Sequence, residues 1–287
     1  MDNTRYEHSA IVSREPIKWP NGARVAVWVI PNVEHFHIDV PSGMASPNPP
    51  VPDVRNFAWL DFGNRVGIWR IMEVLDKKGI RATVALNSEV CRHYPLIIEE
   101  GKRRGWEFMG HGLTNSRYLR DLPEDEEREI IRTVVRTMAD ATGGAPRGWL
   151  GPGLTETFNT PDILAEEGIS YLCDWCCDDQ PFAMKVRSGR LISVPYSIEL
   201  NDLPAFTRFH LTPREFEQNI RDQFDVLYEE GAASGRVMPI ALHPYLTGQA
   251  FRIGYLDRVL EYIQGHPDVW FATGGEIADW FYEHYVT

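Results

Sequence analysis

Val25-Ala26-Val27-Trp28-Val29-Ile30 runs straight into Pro31-Asn32-Val33-Glu34-His35-Phe36-His37, and this junction decides the fold class. Six consecutive apolar residues, rich in β-branched side chains, predict a strand buried on both faces. Such a strand belongs in a parallel sheet covered by helices. The residues that follow are polar, and the two-residue alternation of a strand puts Asn32 and Glu34 on one side, with Val33 and His35 on the other.

The same grammar recurs along the chain. Apolar strands are predicted over 82–86, 106–109, 148–150, 170–173, 191–194 (one arm of a hairpin), 237–242 and 269–272. Helices are predicted between them, over 65–78, 95–104, 123–142, 161–167, 212–230, 255–263 and 275–284. Gly79 and Gly105 stop two of these helices. Acidic residues open the helix at 123, as the helix dipole favours, and Thr212 with Glu215 forms a capping box. Seven or eight strands alternating with helices require right-handed parallel crossovers. At this length the pattern favours a distorted (β/α) barrel of about seven strands. Residues 1–22 read as an N-terminal extension and 23–287 as a single catalytic domain. The proline-crowded segment 41–52 cannot be a regular element and reads as a lid or pocket wall.

Where the strands run out, polar groups appear: Asn32, Glu34, Asn87, His111, Arg147 to Gly151, Asp174, His243 and Thr273. In a barrel these ends share one face, so residues distant in sequence converge on one pocket. Glu34 at such a mouth is suited to be a general base, a metal ligand or an orienter of histidine; a solvated carboxylate is the alternative. His111, between Gly110 and Gly112, is free to face a pocket, and it is followed four residues later by Asn115. A His-x-x-x-His spacing would bring two imidazoles to one zinc, whereas Asn115 supplies only a weak carbonyl donor. Arg147 and the Gly151 backbone suit a substrate's polar edge. Asp174 could pair with His243 and fix its tautomer, with Trp175 as an aromatic wall beside Trp59 and Trp149. A Gly/Pro turn is the plainer reading of the segment at Arg147, and a satisfied core histidine that of His111.

Composition limits the partners. The chain has 287 residues, 43% of them hydrophobic, and a net charge of −12, which disfavours nucleic acid and anionic membranes. No apolar leader or membrane span is visible in the sequence, so cytoplasmic residence is expected. Cys173, Cys176 and Cys177 cluster without a second pair that would complete a four-sulfur zinc site, and read as reduced thiols.

With these residues in view, the sequence from about Ala23 onward resembles the polysaccharide-deacetylase-like hydrolases. That resemblance implies a distorted (β/α) barrel. It aligns the family's paired first-strand aspartates with Asn32 and Glu34, and its His-x-x-x-His with His111 and Asn115. The arginine segment falls on Arg147 through Gly153, the Asp-Trp segment on Asp174-Trp175, and the late acid histidine on His243. The base aspartate is thus an asparagine, and the second metal histidine is Asn115. Asn-x-Glu after the first strand, with Phe62-Gly63-Asn64-Arg65-Val66-Gly67-Ile68-Trp69-Arg70, is more similar to the branch of allantoinases and cyclic-amide hydrolases. Some members of that branch work without metal, and it typically forms homo-oligomers, often tetramers.

The leading expectation is a hydrolase that opens a cyclic amide, imide or ureide. Glu34, His111, Asp174 and His243 are its expected catalytic groups, and Asn32, Asn115, Arg147, Gly151 and Trp175 its expected substrate contacts. No cofactor is required, while zinc on Glu34, His111 and Asn115 belongs to the rival expectation, a deacetylase of an N-acetylated carbohydrate. A non-catalytic barrel that holds a small ligand is the third.

Overall fold

The computed structural model describes residues 2–42 and 49–286. Its strands are β1 (Val25–Val33), β2 (Thr83–Leu86), β3 (Glu107–Gly110), β4 (Gly148–Trp149), β5 (Tyr171–Leu172), β6 (Phe182–Met184), β7 (Leu191–Ser193), β8 (Arg236–Leu242) and β9 (Val269–Phe271). They form one curled sheet in the order β6-β7-β5-β4-β3-β2-β1-β8, with β9 added against the start of β1. Every pairing is parallel except that of β6 with β7, the hairpin. The outer edge of β8 is met by irregular chain: Asp179 O accepts from Val237 N at 2.8 Å and Leu200 O from Ala241 N at 3.0 Å. Closure by loops instead of a strand ladder is what distorts the barrel.

Alternation along β1 sorts its residues into two cores. Val25, Val27, Val29 and Val33 pack between sheet and helices, while Ala26, Trp28 and Ile30 point into the barrel with Met109, Leu150, Tyr171 and Val194. Asn32 and Glu34 continue the inward series, and both are buried. The apolar filling therefore gives way to polar groups at the C-terminal mouth. At the opposite end Ile17 and Trp19 join the inner core, and Trp19 donates its indole N–H to Arg236 O at 2.9 Å. Part of the N-terminal extension thus plugs the barrel.

Several elements differ from the sequence expectation. The helix expected over 65–78 is the latter part of a longer run, Val54–Phe62, a widened turn at Gly63–Gly67, and Ile68–Lys78. Gly63 and Gly67 look like breakers in the sequence, but their function here is close approach. A Cβ on Gly67 would lie 1.9 Å from Pro244 O, and one on Gly63 2.8 Å from Tyr245 N. The short helices Ser88–His93, Asp202–Thr207 and Pro244–Thr247 were not expected, being too brief to show a helical period. Of the proline-rich segment 41–52 expected to act as a lid, residues 43–48 lie outside the described residues.

Candidate active site

The mouth of the barrel holds a cavity of about 210 Å³ lined by Asn32, Glu34, His111, Asn115, Gly151 and His243. These expected residues meet because each stands at or just past the end of a parallel strand. Glu34 is at the centre. Its Oε1 is 3.4 Å from His111 Nε2 and 3.6 Å from His243 Nε2, and it accepts a short hydrogen bond from Asn115 Nδ2.

The two imidazoles are held alike, each by an acceptor at Nδ1, and both turn Nε2 toward Glu34 Oε1. His111 Nδ1 is 2.6 Å from Leu150 O, a group that can only accept, so Nδ1 carries a proton and Nε2 faces Glu34 Oε1. His243 Nδ1 is 2.7 Å from Asp202 Oδ1. Asp202 also accepts from the His243 backbone N–H at 2.9 Å and from Thr247 Oγ1 at 2.6 Å. Burial disfavours the charged ring, but the Glu34 charge and the Asp202 bond and charge outweigh it, raising the His243 pKa to about 10. Burial would likewise raise Glu34, yet His243 and His111 hold it down to about 2. At neutral pH the cavity therefore contains a carboxylate facing an imidazolium.

Amide polarity near Glu34 is also fixed. Asn87 Oδ1 accepts the His35 backbone N–H at 2.8 Å and its Nδ2 donates to His111 O, so this side chain cannot be flipped without losing both bonds. Its Nδ2 then donates to Asn115 Oδ1 at 3.0 Å, which leaves Asn115 Nδ2 for Glu34. Behind Glu34, its backbone carbonyl accepts from Asn64 Nδ2 at 2.7 Å.

Comparison with known proteins places this geometry. Residues 58–172 match the model of the polysaccharide deacetylase family. Over this stretch the chain is similar to that family. A Schizosaccharomyces pombe protein provisionally named a polysaccharide deacetylase is 28% identical over 93% of both chains. The peptidoglycan deacetylase of Helicobacter pylori is 23% identical over 77% of this chain and 85% of its own. Among solved structures, the PuuE allantoinase superposes with a TM-score of 0.86 at 26% identity, covering 96% of each chain. The protein is thus a deacetylase-type hydrolase of a family acting on C–N bonds other than peptide bonds.

The metal that many polysaccharide deacetylases use does not fit these residues. Asn115 presents its NH2, not its carbonyl oxygen, to Glu34, which leaves one carboxylate and one imidazole as firm donors. The neighbouring His243 imidazolium adds a positive charge 3.6 Å from the same oxygen. Among the described residues no three His, Cys, Asp or Glu side chains are grouped to hold a metal ion.

Three expected site residues stand elsewhere. Asp174 does not pair with His243, because Asp202 occupies that position. Its Oδ1 instead accepts the Gly151 N–H at 2.8 Å, behind the cavity wall. Burial raises the Asp174 pKa to about 6, and its neighbour Glu156 is raised well above the carboxylate range by burial and by Asp174. Trp175 turns away from the cavity, donates to Glu156 Oε1 at 3.1 Å and meets Tyr6 edge-on at 5.5 Å. Arg147 precedes β4 rather than following it, so it lies at the opposite end of the sheet, 2.8 Å from Asp279 Oδ2. Trp149 is fully buried in the outer core, and Trp59 packs edge-on against Tyr245 at 5.2 Å.

Sequence reasoning missed Asp202, Tyr196 and Asn201. Tyr196 was within reach, since it continues the inward series Ile192, Val194. Asp202 follows no apolar run and had no such signal.

Proposed function

We propose that this protein opens a ring amide, imide or ureide by adding water to a ring carbonyl. The observation that carries this reading is the convergence of His111 Nε2 and His243 Nε2 on Glu34 Oε1, with His243 alone backed by a carboxylate, Asp202. Ring opening needs one group to take a proton from water and another to give one to the leaving nitrogen. Glu34, held near 2, is a poor base at neutral pH, so it anchors the water and His111 Nε2 takes the proton. As water adds to the carbonyl carbon and the C–N bond breaks, His243 Nε2 delivers its proton to the departing nitrogen. Asp202 keeps His243 charged and in register before that step. The products are an open-chain acid and the freed nitrogen function on the same molecule.

The likeness to the PuuE allantoinase supports a cyclic ureide as one member of the substrate class, while the named deacetylase relatives support N-acetylated carbohydrates. A turnover screen over allantoin, succinimide, hydantoins and acetylated sugars, with and without added zinc, separates them. Ring opening that survives chelation is expected; acetate release that requires zinc, with no ring opening, would reverse the reading. A small-molecule substrate, a homo-oligomer and cytoplasmic residence complete the proposal. Among the described residues no helix is long and apolar enough to cross a membrane.

A further inference from the structure

Tyr196 brings its hydroxyl to Asn32 and Asn201 on the cavity wall. Backbone groups fix the direction of both amides. Asn32 Nδ2 donates to Ile30 O at 3.3 Å and Leu242 O at 3.2 Å, so its Oδ1 is left as an acceptor. Asn201 Oδ1 accepts the Leu203 N–H at 3.0 Å as the cap of helix Asp202–Thr207, so its Nδ2 is left as a donor. Both amide nitrogens approach the Tyr196 oxygen, Asn32 Nδ2 at 3.1 Å and Asn201 Nδ2 at 3.4 Å. The Asn201 N–H is the one left to donate to the phenol oxygen, whose own O–H reaches Asn32 Oδ1 at 3.3 Å. Burial pushes the phenol pKa well above its ordinary range, so the O–H stays protonated.

The wall thus holds a donor and an acceptor side by side. A ligand that replaces their mutual bond with two of its own must present a C=O and an N–H on the same side. A secondary amide inside a small ring is forced cis and does so. An open-chain amide is trans, with the two groups opposed, and its cis form is roughly 70-fold less populated. We infer that Asn32 and Tyr196, backed by Asn201, are specificity-determining residues that read the cis-amide edge of a ring with an unsubstituted N–H. In an imide or ureide, one carbonyl is held by Tyr196 while the carbon on the other side of the same nitrogen faces Glu34 and His111. This inference rests on the ring-opening reading and narrows it: an N-acetyl group on a sugar, being trans, satisfies only half of the pair.

The test is a ligand-observed NMR titration of the full chain with succinimide, N-methylsuccinimide and the open-chain N-methylacetamide, following binding and ring opening in the same samples. Succinimide is expected to bind about tenfold or more tighter than its N-methyl derivative, since methylation strands a buried acceptor, and N-methylacetamide more weakly than succinimide. Tyr196→Phe, and Asn201→Asp, which keeps the helix cap, should each weaken succinimide binding about tenfold while circular dichroism shows a native fold. Equal affinity for the two imides, or wild-type succinimide affinity in either folded variant, would overturn the inference. A clear N–H preference without any ring opening leaves the recognition standing and defeats the hydrolytic reading. Ring opening of both imides at equal rates does the reverse.

Discussion

Asp202 binds His243 twice, through the ring Nδ1 at 2.7 Å and through the backbone N–H at 2.9 Å. One fully buried carboxylate therefore fixes the position, tautomer and charge of the proposed acid, and Thr247 holds that carboxylate in turn.

Asp202→Asn should separate these contributions. The amide keeps one acceptor but loses the charge that opposes burial, so the His243 pKa should fall from about 10. Turnover should drop by roughly 10²–10⁴-fold, the scale seen when an orienting carboxylate is neutralised. NMR titration of the His243 ring beside kcat checks both. An unchanged pKa with normal turnover would remove Asp202 from the mechanism.

Why this pair escaped the sequence reading follows from the topology. Glu34, His111 and His243 stand directly after apolar runs, and strand-end position was the only signal used. Asp202 reaches His243 from a six-residue helix that follows an irregular segment lying along β8. Its location depends on how the barrel closes, which local periodicity does not encode. Arg147 misled for the related reason that β4 is only two residues long. The expected strand 148–150 begins where β4 begins, so Arg147 stands at its start, although it was grouped with the residues at its far end.

The Glu34–His243 pair also predicts how stability responds to pH. The folded pKa of His243, about 10, is above the ordinary imidazole value of 6.5, so its contribution is complete below pH 6.5 and is lost as pH rises toward 10. Glu34, at about 2 against 4.5, contributes above pH 4.5 and loses that contribution as pH falls toward 2. Denaturation midpoints measured across pH should form a plateau between 4.5 and 6.5 from this pair. His243→Gln should flatten the alkaline limb, and an unaltered limb would exclude the pair as its origin.

Asn115 gives a direct test of the donor argument. Chelator-treated wild-type protein should retain ring-opening activity and bind added zinc weakly by calorimetry. Asn115→His replaces the NH2 that faces Glu34 with a nitrogen ligand four residues from His111, the spacing that suits zinc. Zinc should then bind more tightly. Tight zinc binding by the wild type, equal to that of the variant, would show that the Asn115 amide turns its oxygen inward after all.

Gly67 tests whether the distant helix positions the acid. In an unconstrained helix, Gly→Ala adds about 1 kcal/mol of stability. Here the added Cβ would sit 1.9 Å from Pro244 O, backbone that cannot rotate away, so the residue next to His243 must move. Overpacking of this kind costs about 1–3 kcal/mol, which exceeds the propensity gain. A shift near 1 Å at a catalytic group can cost around 10²-fold in rate. Gly67→Ala should therefore lower both Tm and kcat, whereas Gly144→Ala, with nothing within 4 Å of its Cβ, should leave both near wild type. Thermal melts and initial rates on the two variants decide it, and a fully active Gly67→Ala would break the link between this helix and His243.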